Sequence, residues 1–133
     1  MNPKAIYPAA GGSVSGAPYT PAVQSGEMLF ISGQLGLDPA TGKPFADFDK
    51  QVEGAIAGVR ALCEAAGGSL ESVVKTTVFL SDLAQFAALN ALYGAHFSGA
   101  VRPARSTFQV AALPLGAAVE IEAIAIIAPI AKP

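Results

Sequence analysis

The longest strongly apolar run, Ala123 to Ala131, is nine residues long and contains Pro129. A membrane-spanning helix needs about 20 consecutive apolar residues, so no segment crosses a bilayer in that way. Yet 52% of the 133 residues are hydrophobic, only 14% are charged, and the mean hydropathy is +0.47. That balance excludes intrinsic disorder. The length fits one domain, and we expect one over residues 1–133. A domain this small cannot hide so much apolar surface alone, which points to burial against further copies of the same chain.

Charge narrows the partners. The net charge is −2 and the isoelectric point about 5.2. No cluster of Lys and Arg stands ready for a phosphate backbone, so nucleic acid is not an expected partner. A lone cysteine, Cys63, cannot form an intramolecular disulfide, and a reducing compartment follows. One lysine and no apolar stretch precede the glycine-rich Gly11–Gly16, so no signal peptide is read and a cytoplasmic location is expected. CxxC, HExxH and phosphate-loop patterns are missing. With one histidine, His96, and one cysteine, a transition-metal site would have to be mostly carboxylate, and none is expected.

Tyr7 to Pro21, rich in Gly, Pro and Ser, reads as loop. Met28 to Ser32, closed by Gly33, reads as a strand, and Leu37 to Phe45 as a turn around Asp38-Pro39 and Thr41-Gly42. Phe48, Val52, Ile56, Val59 and Cys63 recur at helical spacing and predict a helix over 47–66, ended by Gly67-Gly68. The β-branched stretch Val73 to Leu80 predicts a strand. Asp82 and Gln85 resemble a capping box opening a second helix with Phe86, Tyr93 and Phe97 on its apolar face, ending at Gly99. Ala104–Val110 and Val119–Ile127 are the last two strands, separated by a turn at Pro114 and Gly116. The order is that of an α+β fold: a mixed sheet with two helices packed on one face and the other face left over.

Four residues hold chemistry that a core does not need. Asn90 lies 4 residues after Phe86 and 3 before Tyr93, on the apolar face of its helix. It either caps a neighbouring loop or serves a site, because a buried amide without partners costs about 1–3 kcal/mol. Arg105 shares one strand face with Thr107 and Gln109. It is solvent-facing, paired with an acid, or a rigidly mounted fork for a carboxylate. Glu120 and Glu122 share a face of the last strand with Ile124 and Ile126, opposite Ile121, Ala123, Ala125 and Ile127. They pair with Arg105, or one of them acts as a general base or positions water. His96 suits the end of its helix as a cation. Cys63, on an apolar helix face, reads as buried and inert, and Tyr19 as a loop anchor or a lid.

Gly16-Ala17-Pro18-Tyr19, Phe30-Ile31-Ser32-Gly33-Gln34, Val74–Leu80, Pro103-Ala104-Arg105-Ser106 and Val119–Ala125 occur in an order and spacing that resemble the RidA (YjgF) family of enamine/imine deaminases over nearly the whole chain. The resemblance implies a chorismate-mutase-like α+β fold, a homotrimer, and an active site in each cleft between subunits. It implies hydrolysis of 2-imino or 2-enamino acids such as 2-aminoacrylate to a 2-keto acid and ammonia, without a cofactor, as control of metabolite damage. Carried over by position, Arg105 would grip the substrate carboxylate and Glu120 would activate water. Tyr19 would close over the ligand, and Ser32, Asn90 and Thr107 would line the pocket. Many relatives have cysteine where this chain has Thr107; water attack needs no thiol, so activity is expected to survive. Competing functions are a pathway-specific deaminase of the same superfamily, a non-enzymatic module for small carboxylates, and a ribonuclease.

Overall fold

Asp47 accepts a hydrogen bond from the Asp49 amide and opens helix α1, Phe48–Ala65. The helix closes as its C-terminal glycines predict: Gly67, at φ +91°, donates to the Glu64 carbonyl and Gly68 to that of Cys63. Val52, Ile56, Val59 and Cys63, spaced along one stripe, are all fully buried, and Phe48 packs at the margin.

The computed structural model describes residues 2–9 and 17–127, so the glycine-rich stretch and the end of the apolar run beyond Ile127 lie outside the described residues. Six strands form one sheet: β1 (Lys4–Ile6), β2 (Ala22–Ser25), β3 (Met28–Gln34), β6 (Val73–Leu80), β7 (Ala104–Gln109) and β8 (Val119–Ile126). Their order across the sheet is β1-β2-β3-β8-β6-β7, and only the β6–β7 pair is parallel. The expected mixed α+β sheet is therefore observed. Two short strands, β4 (Leu37–Asp38) and β5 (Lys43–Pro44), pair around the Asp38–Gly42 turn.

Sequence periodicity misses β1 and β2. β1 has three residues and β2 four, too few for alternation to register. Pairing makes them: β2 and β3 join through a two-residue turn with Gly26 at φ +62°. β3 also runs past Ser32, with Gly33 inside it at a bulge between Ile31 and Gln34. The capping box at Asp82 is only half formed. Its carboxylate takes the Ala84 amide, giving a 3-10 turn over Leu83–Gln85, and α2 starts one residue later, Phe86–His96. Leu89 holds the buried place expected for Phe86, which is 41% exposed.

Both helices lie on one side of the sheet. Leu29, Ile31, Val78, Leu80, Val119, Ile121, Ala123 and Ala125 point toward them. His96, at the end of α2, sits between Glu53 and Arg60 of α1, within hydrogen-bonding distance of both, and ties the two helices together. The opposite face is bare. Met28 stands beside Ile126 and Phe30 beside Ile124, with Phe108 nearby, and Phe30 and Phe108 are 43% and 53% exposed.

Between sheet and α2, the Thr76 hydroxyl meets the Tyr93 phenol at 2.6 Å, both groups buried. Removing one partner strands the other. Tyr93→Phe should lower unfolding free energy by about 1–3 kcal/mol, and Thr76→Val with Tyr93→Phe should cost less than the single changes summed. Additive costs in denaturant titrations would show that the two hydroxyls stand independently.

Candidate active site

Arg105 enters the site from β7, the edge strand. It is paired with Thr76, whose side chain is buried beneath the helices, so the guanidinium lies on the helical side. There it donates to Asn90 Oδ1 at 2.7 Å. Its Cζ lies 4.8 Å from the centre of the Tyr93 ring and 5.5 Å from that of Phe86. An amide edge and two aromatic faces hold the group in one orientation, and Thr76 holds Tyr93. Burial pushes the Tyr93 phenol up, while Thr76 and the positive charge of Arg105 pull it back. Among the described residues no carboxylate pairs with Arg105. Thr107 shares this face one rung along, beside Val78.

Glu120 stands on β8 between β3 and β6. It is paired with Phe79, which puts its side chain on the bare face with Glu122. The carboxyl is half-buried against Gly33 at the β3 bulge. The Ser32 hydroxyl donates to the Thr20 carbonyl at 2.7 Å, and its amide to that of Pro21 at 2.9 Å. Ser32 therefore fixes the loop that carries Tyr19, a residue that is 62% exposed. Gln34 Nε2 donates to the Ser32 carbonyl at 2.9 Å and secures the bulge from within. Burial raises the affinity of Glu120 for its proton above the usual carboxylate range, and the charge of Glu122 adds to it.

Six residues singled out from sequence thus fall into two groups. Arg105, Asn90 and Thr107 lie at the edge strand on the helical side. Glu120, Ser32 and the Tyr19 loop lie across β3 and β8 on the bare side. Of the two readings open for Glu120 and Glu122, pairing with Arg105 does not occur within the chain: register places them on opposite faces of the sheet, two strands apart. Among the described residues Asn90 caps no loop; its oxygen accepts from Arg105.

Phe86 and Tyr93, read from sequence as core, prove to be the shelf under Arg105. Their spacing with Asn90 was the available signal, because positions 86, 90 and 93 share one face of a helix. Gly33 gave no signal beyond ending an apolar run. Cys63 is buried, and burial pushes its thiol up to about 11, which makes it inert as expected. Among the described residues no group of three His, Cys, Asp or Glu side chains could hold a metal ion, and no helix is long and apolar enough to cross a membrane. A concavity of about 370 Å³ lies over Leu70, Val73 and Phe97, but none of the six residues lines it.

What the two groups offer is an oriented cation with no counter-charge among the described residues and a carboxylate of raised proton affinity. The comparisons with known proteins bear on that pair. Residues 13–127 match the family model described as Endoribonuclease L-PSP. A protein of Salmonella typhimurium named 2-iminobutanoate/2-iminopropanoate deaminase is 45% identical over 111 residues, covering 82% of this chain and 87% of the relative. The mouse protein of the same name is 43% identical over 116 residues, 86% of this chain and 85% of its own. The crystal structure of Escherichia coli TdcF with bound serine superposes with a TM-score of 0.86 at 40% identity, covering 94% of this chain and 99% of the other. The chain belongs to the Endoribonuclease L-PSP family, the family of the RidA and YjgF proteins.

Proposed function

We propose that this chain is a deaminase of 2-imino and 2-enamino acids, such as 2-aminoacrylate, releasing the 2-keto acid and ammonia. The observation that carries the reading is the Arg105 guanidinium, oriented by Asn90 and the Tyr93 and Phe86 rings and left without a carboxylate of its own. Such a fork suits a substrate carboxylate, which supplies the missing charge through two parallel hydrogen bonds worth roughly 1.5–3 kcal/mol. Relatives named as imine deaminases, and a relative holding an amino acid, support a ligand of that kind.

Glu120 is the partner that hydrolysis requires. As carboxylate it takes a proton from water as the oxygen attacks the imine carbon. As acid it returns that proton to the nitrogen, giving a carbinolamine; it then takes the hydroxyl proton and passes it to the nitrogen as the C–N bond breaks, leaving a C=O bond and ammonia. An enamine first tautomerises to the imine, gaining a proton at carbon and losing one from nitrogen. Raised proton affinity suits a group that must both accept and give. Nothing is oxidised or reduced and no thiol takes part, so Thr107 in the place of the family's frequent cysteine is compatible with turnover and shapes the pocket wall. No cofactor enters the steps.

Since one chain turns Arg105 and Glu120 to opposite faces, the working site is composite. The bare face of one copy, with Glu120, Ser32 and Tyr19, meets the β7 edge of the next, with Arg105, Asn90 and Thr107. A homotrimer closes that head-to-tail arrangement and buries the apolar residues Met28, Phe30, Phe108 and Ile126. Tyr19, exposed on its loop, closes over the ligand. The chain acts as one domain, and the unpaired buried Cys63 fits a reducing cytoplasm. Although the family description names an endoribonuclease, 8 basic against 10 acidic residues favour a small anionic substrate over RNA.

The test is release of ammonia or pyruvate from 2-aminoacrylate generated in situ by a dehydratase, with wild type and Arg105→Ala compared against the spontaneous rate. Acceleration by wild type and its loss in Arg105→Ala is the expected outcome; a variant keeping near-normal turnover would overturn the carboxylate grip. A second prediction concerns pH. Because the base form of Glu120 is needed, kcat/KM should fall on the acid side at a pH above the ordinary glutamate value of 4.5. Removing the neighbouring charge with Glu122→Gln lowers the proton affinity of Glu120, so that acid limb should move to lower pH. A limb that stays put or moves up would contradict the assignment.

A further inference from the structure

Glycines in this chain are there for different reasons. Gly26, Gly42, Gly67 and Gly116 have positive φ, where a side chain would strain the backbone. Gly36 and Gly54 lie against each other and against the backbone of Gln51, so that any side chain would push main chain apart. Gly33 fits neither class. Its φ is not positive, and what a Cβ would strike is the far end of one flexible side chain: the Glu120 carboxyl carbon and Oε2, each at 2.6 Å, and Cγ at 3.0 Å.

We infer that Gly33 is a positioning residue for Glu120: the space left by its missing side chain is the seat of the carboxyl group. The inference rests on the hydrolytic role given to Glu120 above. The seat is built with care. The bulge between Ile31 and Gln34 offsets Gly33 from the regular ladder, and Gln34 and Ser32 hold that bulge through the Ser32 carbonyl and the Pro21 carbonyl. A methyl group at position 33 would leave the backbone where it is and displace the carboxyl, because moving the end of a glutamate is easier than moving a strand in the middle of a sheet. Few charges compete for the group. β3 carries no charged side chain, β6 carries Lys75, which donates to Ser106 Oγ at 2.8 Å, and β8 carries Glu122. Turned out of its seat, Glu120 would lose the desolvation that raises its proton affinity.

The experiment is a double-mutant cycle on the assembled protein: wild type, Gly33→Ala, Glu120→Ala and the double variant, assayed for 2-aminoacrylate deamination, with thermal unfolding in parallel. Gly33→Ala should lower kcat by about 10- to 100-fold with KM changed by less than about threefold, the cost of misplacing a reacting group by an ångström or so. Its acid limb should move to lower pH. In the Glu120→Ala background the same change should alter kcat by less than about twofold, since there is no carboxyl left to displace. Wild-type kcat in Gly33→Ala, or an equal loss in both backgrounds, would overturn the inference. Should Gly33→Ala alone fail to fold, a folded double variant would support the overlap with Glu120, and a double variant that also fails would place the need for glycine in the backbone and overturn it. Wild-type turnover in Glu120→Ala would remove the hydrolytic role itself and this inference with it; loss of turnover there with an additive Gly33→Ala would remove the inference alone.

Discussion

β8 runs through the middle of the sheet, and its period-two alternation divides the molecule. Val119, Ile121, Ala123 and Ala125 fill the space under the helices, while Glu120, Glu122, Ile124 and Ile126 are turned to the other side. Two helices, tied to each other at His96, suffice for one face of six strands and not for both. At about 25 cal/mol per Å² of apolar surface, the bare aromatic and aliphatic side chains on the second face are a standing incentive to associate. Glu120 is mounted on that same surface, so under the proposed function the contact that buries the face would also complete the site.

Arg105 shows how a charge is kept available. A guanidinium paired with an acid of its own chain would be satisfied and of little use to a ligand. Here the chain gives it an amide oxygen and two ring faces, which fix its direction without cancelling its charge. The buried Thr76–Tyr93 hydrogen bond carries that rigidity into the sheet. Gly33 treats Glu120 in a comparable way, by leaving room rather than by making a bond. In both cases the group is oriented by neighbours that do not neutralise it, the condition for a group that must meet a charged or reacting partner.

Much of this was legible in the sequence. Apolar residues at spacings of three and four fixed α1 to within a residue, and Gly67-Gly68 marked its end. Alternation in Val119–Ile127 sorted the two faces of β8 correctly, Glu120 included. Local pattern cannot carry register between strands distant in sequence, and that is where the reading failed. β7 pairs in parallel with β6, and only this pairing reveals that Arg105 faces the helices while Glu120 faces away. The strands β1 and β2 exist because β3 offers them an edge, not because their few residues alternate. Phe86 and Tyr93 looked like core because aromatic residues at helical spacing usually are; their second role depends on where Arg105 arrives from another element.

That a working site takes Arg105 from one copy and Glu120 from the next is tested most directly by mixing two crippled variants. Arg105→Ala and Glu120→Ala are each expected to form assemblies with only a small residual turnover. Unfolded together in equal amounts and refolded, they should regain activity, because random assembly puts an intact Arg105 opposite an intact Glu120 in about one quarter of the clefts. Recovery near that fraction of the wild-type rate is the predicted result. Mixed assemblies that form yet turn over no faster than either parent would mean that both residues serve one chain's own site, and would contradict the composite cleft.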